Sequence, residues 1–181
     1  MLADRPRLSP GLVLIAAVTA ISGAAVLFRL ADGVHPVVAA FWRTAVVAAL
    51  LAPSLRPSSG ALAALTRRDS ALVGLAGLLL AVHFSCWFSS LQYTTVLRST
   101  LLVCLTPVWA SAMEWALLGR RPASSFFVGI SVALVGVGIM GLPSAQVGDG
   151  DLFGDGLALA GGVLSAAYLL VGRSVRQRVG I

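Results

Sequence analysis

ALVGLAGLLLAVHFSCWFSSL, residues Ala71–Leu91, runs for 21 positions without an aspartate, glutamate, lysine or arginine. At 1.5 Å of helical rise per residue, a run of this length crosses the roughly 30 Å hydrocarbon core of a bilayer. Arginines stand close to both ends, Arg67 and Arg68 before it and Arg98 after it. Five further apolar stretches meet or approach the same length: Gly11–Leu30, Pro36–Ala52, Ser99–Leu118, Phe126–Leu142 and Gly156–Val171. The expected fold class is therefore all-α, a polytopic helical bundle of about six transmembrane helices. The first stretch follows Arg5 and Arg7 like a secretory signal. It is longer than a signal core and five more spans follow it, so it reads as a retained helix.

Composition excludes the competing classes. The 181 residues are 58% hydrophobic and only 11% charged, with a mean hydropathy of +0.94. A soluble domain is about a quarter charged, and disordered chains are poor in apolar residues. The net charge of +6 comes from 13 basic residues, all arginine, against 7 acidic ones. These arginines sit in small groups between apolar blocks and form no basic face, so no nucleic-acid partner is expected. Cys86 and Cys104 both fall inside apolar stretches and read as two small buried thiols, not a disulfide framework.

Arginine placement sets the expected orientation. Arg5, Arg7, Arg56, Arg67, Arg68, Arg120, Arg121, Arg173, Arg176 and Arg178 all fall on one side of the spans. The other side has Arg29, Arg43 and Arg98 at or within span ends, and a loop from Pro143 to Asp155 carrying Asp149, Asp151 and Asp155. The positive-inside rule places both termini in the cytoplasm of an inner-membrane protein. Gly148-Asp149-Gly150-Asp151 resembles part of a calcium loop but lacks its remaining ligands, and reads as plain loop.

Ionisable groups at membrane depth are the candidates for function. Arg43 lies seven residues after Pro36, about 10 Å along a helix. At a span centre an arginine costs about 2.5–3.5 kcal/mol. Either its stem snorkels outward, or the charge lines a cavity and attracts anionic substrate groups. Glu114 lies one turn and a half before Gly119. It is either a proton carrier or an acid paired with an arginine such as Arg121.

Two polar lines run at helical spacing. Thr100, Cys104, Pro107, Ser111 and Glu114 share one face of span four, and His83, Trp87, Ser90 and Thr94 share one face of span three. Pro107 removes a mid-span donor, frees a carbonyl near residue 103 and permits a kink. Facing stripes make either a substrate cavity or a contact glued by small residues and hydrogen bonds. The candidate cavity residues are Arg43, His83, Trp87, Ser90, Thr100, Pro107, Ser111 and Glu114. His83 is either a proton relay or a satisfied core histidine. Gly74, Gly77, Gly129, Gly136 and Gly138 suggest close helix packing. No metal-ligand spacing, phosphate loop, dinucleotide fingerprint or nucleophile–base constellation is present. Neither cofactor nor enzymatic activity is expected, and any transport is secondary or passive.

Ala20-Ile21-Ser22-Gly23-Ala24-Ala25 is echoed by Val163-Leu164-Ser165-Ala166-Ala167-Tyr168. The two segments lie on spans that run in opposite directions, as in the inverted repeats of secondary transporters. Other segments point the same way. Pro36 to Pro53 with Phe41-Trp42-Arg43, the stretch His83 to Thr94, and Thr106-Pro107-Val108-Trp109 followed by Leu118-Gly119 resemble the second, third and fourth helices of the EamA family in the drug/metabolite transporter superfamily. Gly154 to Leu159 is similar to the opening of that family's second repeat. One departure stands out: the family commonly has Gly-Glu-Arg after helix four, whereas here Gly119 is followed by Arg120-Arg121.

The resemblance implies two inverted five-helix repeats around a central cavity, and transport of small metabolites or drugs. On that basis residues 1–142 are expected to form the first repeat. Residues 143–181 are expected to form an external loop and the first helix of an incomplete second repeat. The chain then reads as a fragment of a ten-helix permease, or as a short form completed by a second copy. Its expected partners are the lipid bilayer and a small-molecule substrate. The rival reading is a non-transporting membrane scaffold or assembly subunit.

Overall fold

The computed structural model describes residues 9–31, 33–52, 65–141 and 149–179. The turn position Asp32, the centre of the Pro53–Arg68 loop with Arg56, the leading Arg5 and Arg7, and residues 142–148 lie outside the described residues. The protein is an all-α membrane bundle. Helix α1 spans Pro10–Leu30, α2 Pro36–Leu51, α3 Arg67–Tyr93, α4 Val96–Val103, α5 Thr106–Leu118, α6 Ser124–Gly141 and α7 Asp149–Val179. Arg67–Tyr93, Val96–Leu118 and Asp151–Gln177 are each long and apolar enough to cross a membrane, and Pro36–Leu50 and Ser124–Gly136 are shorter apolar helices.

Local chemistry explains where these helices start and stop. Helix α3 opens on a capping box. The Asp69 amide donates to Thr66 Oγ1 (3.2 Å) and the Thr66 amide donates to Asp69 Oδ2 (3.1 Å), so two otherwise orphaned donors are satisfied. Pro10 and Pro36 begin α1 and α2, where a missing amide hydrogen costs nothing. Helix α5 ends at Gly119, whose φ of 66° closes the last turn in a left-handed conformation that glycine adopts without strain.

The structure sharpens one sequence expectation and corrects another. Span four runs from Val96 to Leu118, and the kink expected at Pro107 is a break at residues 104–105 into α4 and α5. Pro107 cannot donate to the carbonyl of Val103, and the Thr106 hydroxyl supplies that bond instead (2.7 Å). The acidic loop also yields to helix. Helix α7 begins at Asp149, so Asp149, Asp151 and Asp155 lie in its first turns and not in a loop. Acids complement the positive end of a helix dipole, and Arg98 pairs with Asp155 and, at 4.0 Å, with Asp151.

Helix α7 lies antiparallel along α3 and is held at both ends. At one end Thr94 donates to Asp155 Oδ1 (3.0 Å) beside the Arg98 pair. At the other, Arg173 Nη1 donates to Glu114 Oε1 (2.6 Å). Between them the helices approach closely through small residues. Ala158 and Ala166 are fully buried. A Cβ on Gly154 would come within 2.9 Å of the Thr94 nitrogen and of Tyr93 Cβ, so only glycine fits there. Four of the five glycines singled out in the sequence do not behave this way: among the described residues, a Cβ on Gly74, Gly77, Gly129 or Gly136 would meet nothing within 4 Å.

The edge of the bundle is looser. Arg29 at the end of α1 donates to the carbonyls of Leu91 and Thr94, tying α1 to α3. Phe28 stacks on Phe88, with ring centroids 4.7 Å apart. Ala25 and Ala40 are buried against the core, while the outer faces of α1 and α2 are exposed, Leu14 by 65% and Trp42 by 61%, which is the lipid-facing surface expected of a membrane helix.

Candidate functional site

A cavity of about 540 Å³ lies where α1, α2, α3, α4, α5 and α7 converge. Of the residues nominated from sequence, Arg43, His83, Trp87, Thr100 and Pro107 line it. The other three do not. Ser90 is fully buried, donates to the Trp87 carbonyl (2.6 Å) and pairs with Ser99 Oγ (2.5 Å), so it clips α3 to α4. Ser111 and Glu114 line a separate recess with Arg120, Arg121 and Phe126. Glu114 is paired, as one of its two readings required, but with Arg173 of α7 and not with Arg121.

Each cavity residue is positioned by its helix. The break between α4 and α5 leaves Cys104 exposed on the cavity wall, which corrects its assignment as a buried thiol. His83 is buried, and its Nδ1 donates to the carbonyl of Gly161 on α7 (2.8 Å). A carbonyl can only accept, so the bond assigns the proton to Nδ1. Helix α7 packs closely here: a Cβ on Gly161 would lie in van der Waals contact with the His83 carbonyl at 3.5 Å and the Trp87 amide nitrogen at 3.6 Å. Of the two readings of His83, the satisfied core histidine describes its Nδ1.

Arg43 is held differently. Its guanidinium carbon lies 4.3 Å from the centroid of Phe84, 5.5 Å from that of Trp87 and 5.8 Å from that of Phe88. The aromatic faces stabilise a desolvated cation by about 2 kcal/mol, comparable to the cost of placing arginine in a span. They leave its hydrogen-bonding capacity unspent. Among the described residues, Arg43 Nη1 is buried without a hydrogen-bond partner, as are Nε1 of Trp87 and Oγ1 of Thr100, two other residues that line the cavity. Trp109 Nε1 is likewise unpartnered, but Trp109 does not line the cavity.

The sequence reading missed Phe84, Ser22 and Ser165 as cavity residues. Phe84 follows His83 in the chain and is one residue off the polar stripe. A stripe drawn through polar residues alone passes over the ring that seats the arginine. Ser22 and Ser165 were visible only as matching positions of the internal echo, and the structure brings both to the cavity. Among the described residues, no group of histidine, cysteine and acidic side chains has the geometry to hold a metal ion.

Residues 9–142 match the EamA-like transporter family. Over 107 residues the chain is 29% identical to an uncharacterized transporter, YwfM, of Bacillus subtilis (strain 168), an alignment covering 59% of this chain and 36% of that relative. The chain thus spans little more than a third of the length of the curated relative it matches. No solved structure matches it.

Proposed function

The chain belongs to the EamA-like transporter family, and from that premise we propose that it moves small metabolites or drugs across the cytoplasmic membrane as a secondary permease. The observation that carries this reading is the 540 Å³ cavity, bounded by six helices, three of whose lining residues (Arg43, Trp87 and Thr100) keep a buried polar atom with no partner among the described residues. Buried polar groups are ordinarily satisfied because leaving them unpaired is costly, and a scaffold packed against its partners has no reason to keep three unpaired on one wall. Both termini face the cytoplasm, with Arg120, Arg121, Arg173 and Arg176 on that side.

In this reading α7 opens a second unit that closes the cavity on one flank. The exposed lengths of α1 and α2 receive the remaining wall, either from further helices of a ten-helix arrangement or from a second copy. Alternating exposure of the cavity follows from movement between the two units.

Cys104 provides the test, since it is a native thiol on the cavity wall. In a Cys86→Ala background, a membrane-impermeant thiol reagent is applied to right-side-out and to inverted vesicles. Transport by alternating access predicts labelling of Cys104 from both sides. Complete protection from both sides would instead make the protein a scaffold whose cavity is filled by a partner.

A further inference from the structure

Resting on the transport reading above, we infer that the cavity binds a monovalent organic acid, its carboxylate on Arg43 and its apolar body against Phe84, Val103 and Pro107. Charge accounting carries the inference. Four carboxylates have described side chains, and all four are engaged away from the cavity. Asp69 caps α3, Glu114 is paired with Arg173, and Asp151 and Asp155 face Arg98. Among the described residues, Arg43 has no protein counter-ion.

The geometry narrows the ligand class. Stacking over Phe84, Trp87 and Phe88 neutralises no charge, yet it holds the guanidinium in one place, so little order is lost when an anion arrives. Trp87 and Thr100 also line the cavity, and their Nε1 and Oγ1, buried with no partner among the described residues, are donors of the kind that a carboxylate's lone pairs accept once the side chains turn toward it. The rest of the wall is mainly apolar, with Val18, Ala25, Leu80 and Val103 among its residues. One unpaired cation balances one negative charge, whereas a dianionic phosphate ester would leave its second charge buried and unpaired. A cationic substrate would face Arg43 directly.

The experiment uses the 181-residue chain in phosphatidylcholine nanodiscs, titrated with sodium phenylacetate, with neutral 2-phenylacetamide and with phenethylammonium chloride. Binding is read by titration calorimetry and by tryptophan fluorescence. Phenylacetate is expected to bind saturably, and the amide and the ammonium compound at least about tenfold more weakly, the value of one charge-assisted hydrogen bond. Arg43→Gln should lose about the same factor for phenylacetate while leaving the amide unchanged, and Arg43→Lys should recover part of it. Equal affinity for acid and amide in the unaltered chain overturns the inference, as does an absence of saturable phenylacetate binding. Those outcomes need no variant to fold. They are also separate from the transport reading: a chain whose Cys104 is labelled from both sides but which ignores the acid is a permease for other cargo, and one that binds the acid with Cys104 sealed is not a permease.

Discussion

The seam where α7 meets α3, α4 and α5 and the cavity beside it share those four helices, yet they treat polar groups in opposite ways. Along the seam, polar atoms find protein partners: His83 with Gly161, Thr94 and Arg98 with Asp155, and Thr106 Oγ1 with the Val103 carbonyl and, more distantly, that of Gly162 at 3.4 Å. Among the cavity residues, Arg43, Trp87 and Thr100 each keep an atom without one among the described residues. Lipid cannot satisfy such atoms, so only water or a guest in the cavity can. The contrast therefore separates residues whose polar atoms are spent in assembling the bundle from the residues on which the transport proposal rests. Side chains of one polar stripe divide between the two roles: His83 and Trp87 reach the cavity, whereas Thr94 serves the seam and Ser90 the α3–α4 clip.

The contrast can be broken most severely at Gly154. Valine there would drive its Cβ to within 2.9 Å of backbone and side chain at Tyr93 and Thr94. Gly154→Val is expected to destabilise by about 3 kcal/mol, measured as loss of the monodisperse peak and a lower Tm in detergent. An unchanged Tm would mean that α7 does not lie on α3 as described. Asp155→Asn comes next. It removes the charge that holds Arg98 and should cost about 1.5–3 kcal/mol, read from the same melting curves. High salt should not restore the loss, because both side chains are largely buried.

The cavity side should respond in function and hardly at all in stability. Replacing Arg43 by methionine removes an unpaired cation together with its aromatic contacts. Those two contributions offset each other, so the expected stability change is within about 1 kcal/mol of zero. Flux or acid binding should fall about tenfold or more. A large drop in Tm without a functional change would reassign Arg43 to the structural set. The smallest effect is expected at Thr100→Val, which deletes a hydroxyl that has no partner among the described residues and should shift stability by less than about 0.5 kcal/mol in either direction. A loss of 2 kcal/mol or more, of the size that a buried bonded hydroxyl gives, would mean that the hydroxyl is satisfied after all.

Much of this was legible before any fold was known. A span is a property of consecutive residues, so Ala71–Leu91 announced α3 within a few positions of its observed ends at Arg67 and Tyr93. The polar stripes were legible for the same reason, because helical spacing is local. The kink at Pro107 was foreseen as well, although not its depth: the chain breaks into two helices because Thr106 can take over the carbonyl that proline abandons. The aspartates misled because loops and helix starts favour the same acids. In the fold they lie in the first turns of α7, where Asp155 meets Arg98 from another helix.

What the sequence determined on its own is the class of protein and the list of residues able to act, since hydropathy and arginine spacing are read along the chain against a bilayer of known thickness. What only the tertiary structure decided is which of those residues are still free. Glu114 and Arg43 look alike in the sequence, each an ionisable group inside an apolar span. One finds Arg173 from a helix 59 positions away, and the other finds three aromatic faces and no counter-ion among the described residues. Partnership across helices depends on where distant segments meet, and charge is neutralised through space, not along the chain.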